Sequence, residues 1–243
     1  MSAGANGRRL SGPPAAPASP PARRPAPWSA LRDDGVLRPL LGLAIAILRL
    51  VLPRRFGFRV SGLEHLPPAG PVLLVLNHVA DVDPPFVALA VAPRPARFLT
   101  ASRHFGRQPM RWLLTGLGAI PLRVDRPDLA TLRGARERLL RGGLVVVWPE
   151  GAPSYRDRLA PFREGVGHLA LTPGVTVLPA ALWGMQRVMV RGLPIGRGPT
   201  RMAIGPPVPV PDSGTRRERA TQVTADCRAR VADLLAGLVR EIG

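Results

Sequence analysis

The run Val72-Leu73-Leu74-Val75-Leu76 constrains this chain more than any other stretch. It holds no polar residue and leads straight into Asn77-His78-Val79-Ala80-Asp81-Val82-Asp83-Pro84. An apolar run this short reads as a strand buried on both faces, and such a strand needs helices above and below its sheet. The polar loop then emerges from the mouth of a rigid element. There a histidine and an aspartate five positions later can form a compact general-base pair, the carboxylate holding one imidazole nitrogen while the other takes a proton. The competing reading is structural: the histidine caps the next helix, and Asp83 is the N-cap ahead of Pro84 and Pro85.

The rest of the chain repeats the alternation of apolar runs and helical stretches. Strands are expected at 59–63, 72–76, 97–100, 119–124, 144–148 and 175–182, with 201–204 as an edge strand. Helices are expected at 84–92, from Leu129 to Gly142-Gly143, at 164–171 and over 216–242, the last carrying Cys227. The fold class that follows is α/β, a central mostly parallel sheet flanked by helices, with an N-terminal membrane-associated helix.

That N-terminal element rests on the stretch from Val36 to Leu52, which is strongly apolar but as a helix would reach only about 25 Å, short of the roughly 30 Å hydrocarbon core. Arg38 and Arg49 fall within about 20° of one helical face, and Arg54 and Arg55 follow. This pattern suits a helix lying in the membrane interface, with core packing as the alternative. Three regions result: a disordered Pro/Ala/Arg-rich arm over 1–34, the interfacial helix over 35–56, and a folded domain over 57–243. No secretory signal is expected in the arm.

The formal charge is +18, and all 34 basic residues are arginine. Part of that excess reads as coding bias. It still favours anionic partners, whether membrane surfaces, nucleic acid or phosphorylated substrates. Aromatic residues are scarce, and no zinc spacing, RNA-binding signature or helix-turn-helix is apparent, so nucleic acid is not expected as a partner. Cys227 is the single cysteine, which excludes an intrachain disulfide and fits a reducing cytosol.

Three further patches sit at the ends of expected strands, where α/β folds place their sites. Gly118-Ala119-Ile120-Pro121-Leu122-Arg123-Val124-Asp125-Arg126 offers arginine forks to a phosphate. Trp148-Pro149-Glu150-Gly151-Ala152-Pro153-Ser154 offers a carboxylate to an acceptor hydroxyl or to those arginines, and a glycine that permits close backbone approach. In Phe162-Arg163-Glu164-Gly165, Arg163 adds anion affinity, and Val177-Leu178-Pro179 would wall an acyl pocket.

In order and spacing, these four blocks resemble the glycerolipid acyltransferases, best known as 1-acyl-glycerol-3-phosphate acyltransferases. The family carries Asn-His-x-x-x-x-Asp, Gly-x-Ile-Pro…Arg, Phe-Pro-Glu-Gly-Thr-Arg-Ser and Val-x-Pro blocks, and the resemblance spans about residues 58–206. It implies transfer of a fatty acyl group from acyl-CoA or acyl carrier protein to a lysophospholipid hydroxyl, most simply that of 1-acyl-glycerol-3-phosphate. It also implies work at the cytoplasmic face of the cell membrane as a peripheral or monotopic enzyme. Membrane lipids and the acyl carrier are the implied partners, with no bound cofactor and no metal.

Carried over residue by residue, the resemblance makes His78 and Asp83 catalytic. Asn77, Arg123, Arg126, Glu150, Gly151 and Arg163 become substrate-binding, and oxyanion donors are expected among backbone N–H groups near Gly151. Two departures stand out. Arg126 lies farther from Gly118 than the pattern has it, with Arg123 intervening. Ala152 and Pro153 replace the family's Thr-Arg, which points toward a different lipid acceptor. A membrane adaptor that keeps the fold without the chemistry is the rival from another functional class.

Overall fold

The computed structural model of the chain describes residues 54–102, 119–122, 129–156, 158–188 and 196–242, with isolated positions outside these spans. The arm over 1–34 and nearly all of the interfacial helix expected over 35–56 lie outside the described residues. Of that helix only Ala46, Leu50, Val51 and residues 54–56 are described, all helical. Among the described residues no helix is long and apolar enough to cross a membrane.

Seven strands form the sheet: β1 (Arg59–Ser61), β2 (Val72–Leu76), β3 (Ala96–Ala101), β4 (Ile120–Leu122), β5 (Leu144–Val147), β6 (Thr176–Trp183) and β7 (Arg201–Ile204). Their order is β1-β7-β6-β2-β5-β3-β4. The block β6-β2-β5-β3-β4 is parallel throughout. β7 runs antiparallel to β6, and β1 lies parallel to β7. β7 is therefore not the edge strand that its short apolar run suggests. β1 covers it, with Val60 opposite Met202.

β2 sits at the centre, fully buried at all five positions, where each Val or Leu side chain contributes about 1.5–3 kcal/mol by burial. Alternation divides its residues between two cores. Val72, Leu74 and Leu76 face α1 (Asp83–Val91) through Phe86, Val87 and Val91. Leu73 and Val75 face the opposite layer, which is built from α2 (Leu129–Leu140), α3 (Gly165–Ala170) and α4 (Arg216–Ile242).

The longest helix, α4, starts with a reciprocal cap. The Thr215 N–H donates to Glu218 Oε2 at 2.8 Å and the Glu218 N–H to Thr215 Oγ1 at 3.3 Å. Val223, Cys227, Val231, Leu235 and Leu238 recur at helical spacing along its buried face. Burial pushes the Cys227 thiol up to about 12, so this cysteine is a core residue and not a nucleophile.

The crossing of α3 over α4 depends on Gly167, where an added Cβ would lie 2.0 Å from the Ala220 carbonyl oxygen and 2.5 Å from Thr224 Oγ1. Neither backbone can move without shifting a helix. Gly167→Ala is expected to destabilise the fold by about 1–3 kcal/mol, read as a lower urea midpoint at unchanged m-value.

Candidate active site

Parallel pairing brings three strand ends to one edge of the sheet. Val75 stands opposite both Val147 of β5 and Pro179 of β6. Asn77-His78, Trp148-Pro149-Glu150 and Trp183 thus leave the sheet side by side. Asn77 locks two of these strands together. Its Nδ2 donates to the Leu182 carbonyl at 2.9 Å, and the Leu182 N–H donates back to its Oδ1 at 2.7 Å. With a relative exposure of 2% and both amide atoms engaged, Asn77 ties β2 to β6 within the sheet.

His78 Nδ1 lies 2.8 Å from Asp83 Oδ2. The same carboxylate receives the Val79 N–H at 2.8 Å and the Ala80 N–H at 3.1 Å. Asp83 opens α1 but does not cap it: its carboxylate turns back to the loop. The helix-cap reading therefore fails. Every backbone group facing the carboxylate is a donor, so the carboxylate is the acceptor and the proton of a neutral imidazole sits on Nδ1. Nε2 keeps its lone pair. Burial pushes the Asp83 carboxyl above the ordinary carboxylate range, opposed by the bonds from His78, Val79 and Ala80. Trp148 lies against the imidazole with ring centroids 5.1 Å apart, backed by Phe98 at 5.9 Å.

Glu150 fixes the backbone of this loop. Its Oε1 accepts the His78 N–H at 2.6 Å and its Oε2 accepts the Ala160 N–H at 2.8 Å. Burial pushes its pKa up, against the pull of those same bonds. Each oxygen accepts a backbone N–H, so Glu150 positions the His78 loop.

Gly151 adopts φ 82°, and a Cβ there would lie 2.7 Å from Arg163 Nε. The close approach it permits is that of the Arg163 side chain. Its own N–H donates to the Trp148 carbonyl at 3.1 Å. Arg163 is exposed, and its N–H donates to the Pro149 carbonyl at 3.0 Å. Arg123 and Arg126 lie outside the described residues. Among the described residues no group of three His, Cys, Asp or Glu side chains is placed to hold a metal.

The chain after Gly151 forms a strap that residue types alone do not announce. The N–H groups of Ser154 and Tyr155 donate to the carbonyls of His78 and Val79, each at 2.9 Å. Tyr155 has φ 51° and donates its hydroxyl to Asp81 Oδ2 at 2.6 Å. That bond, followed by desolvation, pushes its phenol up to about 12. A left-handed tyrosine is uncommon.

Comparison with known proteins follows the same residues. The acyltransferase family profile, described simply as Acyltransferase, matches residues 57–183, which includes every strand end of the site. The chain belongs to the acyltransferase family. A chloroplastic 1-acyl-sn-glycerol-3-phosphate acyltransferase of Brassica napus is 30% identical over 154 residues, 61% of this chain and 44% of the relative. The chain therefore spans less than half the length of that relative. A lyso-ornithine lipid O-acyltransferase of Pseudomonas aeruginosa is 30% identical over 137 residues, covering 56% of this chain and 51% of its own. The crystal structure of the Thermotoga maritima 1-acyl-sn-glycerophosphate acyltransferase matches the fold with a TM-score of 0.64 and 24% identity. That match covers 84% of this chain and 83% of the other. In this acyltransferase domain the sheet edge is thus the family's own framework.

Replacing Glu150 with Gln sets an amide NH2 against one of two backbone donors. Glu150→Gln is expected to cost about 1–3 kcal/mol in urea unfolding, and to lower kcat far more than it raises KM, because it acts through the placement of His78.

Proposed function

We propose that the chain is an O-acyltransferase of glycerolipid synthesis, moving a fatty acyl group from acyl-CoA or acyl carrier protein to a hydroxyl of a lysophospholipid. 1-Acyl-glycerol-3-phosphate is the first acceptor to test. The observation that carries this reading is the His78–Asp83 pair, with Nδ1 held by a buried carboxylate and Nε2 left for the hydroxyl.

In the step we propose, Nε2 accepts the acceptor's hydroxyl proton as its oxygen attacks the thioester carbonyl carbon. Asp83 stabilises the imidazolium that forms. The tetrahedral intermediate collapses with loss of the C–S bond, and Nε2 returns the proton to the departing thiolate. The ester product and a free thiol leave, so protons and electrons balance without a metal or redox partner. Arg163, beside Gly151, and Arg123 or Arg126 are assigned to the acceptor's phosphate.

A second reading, transfer to a different lipid acceptor, is favoured by one observation. Ala152 and Pro153 stand where the family pattern has Thr-Arg, which removes a cation from the phosphate side of the site. The relationship to a lyso-ornithine lipid acyltransferase supports it.

His78→Ala is expected to lower turnover by roughly 10²–10⁴-fold while cooperative unfolding persists; near-wild-type turnover in the folded variant would sink the mechanism. Labelled acyl-CoA presented with separate lysolipids, with products identified by mass, decides between the two acceptors. Absence of thioester release with every acceptor would favour the adaptor.

A further inference from the structure

The His78 loop and the strap across it carry a carboxylate and a phenol that the acyl-transfer step does not use. Asp83 and Glu150 spend their carboxylates on the protein itself, the first on the imidazole and two backbone N–H groups, the second on two backbone N–H groups. Asp81, three residues after His78, is different. It is exposed, and its Oδ2 accepts the Tyr155 hydroxyl at 2.6 Å. Among the described residues no arginine forms an ion pair with it, and its Oδ1 accepts no hydrogen bond.

Tyr155 reaches Asp81 through a backbone conformation, φ 51°, that bulky L residues rarely adopt. Such a conformation persists only where its surroundings impose it. Here the N–H groups of Ser154 and Tyr155 impose it by donating to the His78 and Val79 carbonyls, each at 2.9 Å. The strap is thus tied down through its main chain. The phenol, on a side chain 47% exposed, adds little to that tie, because water offers both partners an equivalent bond. What the pair does offer is two acceptors side by side. The phenol gives its one proton to Oδ2, which leaves its own lone pair and Oδ1 open. The bond to Asp81, then desolvation, pushes the phenol up to about 12, so it keeps that proton.

Charge selects what such a pair takes. Ala152 and Pro153 stand where the family pattern has Thr-Arg, so a cation is lost from the strap while a carboxylate stands beside it. A phosphate monoester is repelled by Asp81; an ammonium group is attracted and brings N–H donors for both oxygens. Arg163 lies against Gly151 at the start of the strap. From Gly151 to Tyr155 the chain advances four residues, at most about 14 Å. One head group therefore meets a cation at one end of the strap and an anion at the other.

We propose that Asp81 and Tyr155 form an ammonium subsite, and that the acceptor is a lysolipid with a zwitterionic head group whose anion meets Arg163. The proposal rests on the acyltransferase reading and gives its second acceptor a chemistry. Lysophosphatidylethanolamine, with a phosphate and an amine, and lyso-ornithine lipid, with a carboxylate and an amine, share that chemistry.

The test is titration of the full chain carrying His78→Ala, which needs no acyl donor, with short-chain lysophosphatidic acid, lysophosphatidylethanolamine and lyso-ornithine lipid below their micellar concentrations. Asp81→Asn is then added, which keeps the side chain's shape and an acceptor for Tyr155 but removes the charge. Both zwitterions are expected to bind about tenfold more weakly to the Asp81→Asn chain, and lysophosphatidic acid more tightly. Tyr155→Phe should act in the same direction on the zwitterions. Tighter binding of either zwitterion than of lysophosphatidic acid while Asp81 is present supports the proposal and names the source. A common factor for all three lysolipids, or no change, in a folded Asp81→Asn chain overturns it, as does a preference for lysophosphatidic acid while Asp81 is present. Turnover of the chain with His78 intact, on palmitoyl-CoA and each lysolipid, is a separate arm. Its failure with every acceptor rejects the acyltransferase reading, while the titrations still decide the head group.

Discussion

A carboxylate without solvent shapes this site. Asp83 has no exposed surface, and a buried charge of this kind is tolerated only where donors converge on it. Three converge here: two successive backbone N–H groups and the imidazole Nδ1. For those donors to meet, the loop from His78 to Asp83 must fold back on the start of α1. The same folding back points Nε2 away from the protein's own carboxylate. The conformation of the loop and the orientation of the imidazole therefore have a single physical cause.

The loop does not stand alone. Glu150 grips it from β5 and Asn77 ties its root to β6. The strap at Ser154-Tyr155 holds its carbonyls. Nearly all of these contacts end on main-chain atoms. A histidine held through its backbone tolerates change in the surrounding side chains, because substitutions other than proline keep the N–H and C=O. Glu150 and Asn77 are the exceptions. Each is one side chain serving two backbone groups, so the third motif's glutamate is bound to the first motif's histidine by geometry.

How much of this was legible follows from where each signal resides. β2 and β7 were found at their observed limits, and α4 likewise, because burial on both faces or a long 3.6-residue period leaves a dense pattern. The position of β7 was not legible. A strand's place in a sheet depends on its partner, and nothing in the run at 59–63 marks it as the partner of β7. In the site, the pairing of His78 with Asp83 was readable from their spacing, and the two lie 2.8 Å apart. The backbone contacts of Asn77 and Glu150 were not. A polar side chain in a motif can face the substrate or the backbone, and only the positions of Leu182 and Ala160 decide between them. Tyr155 was invisible because nothing in its own residue type signals a left-handed backbone.

The departure at Ala152-Pro153 is best understood against this division between base and surroundings. Proline fixes its own φ and restricts the residue before it, and the strap that follows places Tyr155 over Asp81. On the acceptor reading proposed above, losing a cation at this point changes what the site recognises. It leaves the base untouched, since the backbone bonds from Ser154 and Tyr155 to the His78 loop survive any such exchange. On that reading, acceptor identity is separated from acyl-transfer chemistry within one short loop. The histidine and aspartate at the mouth of the central strand stay where they are.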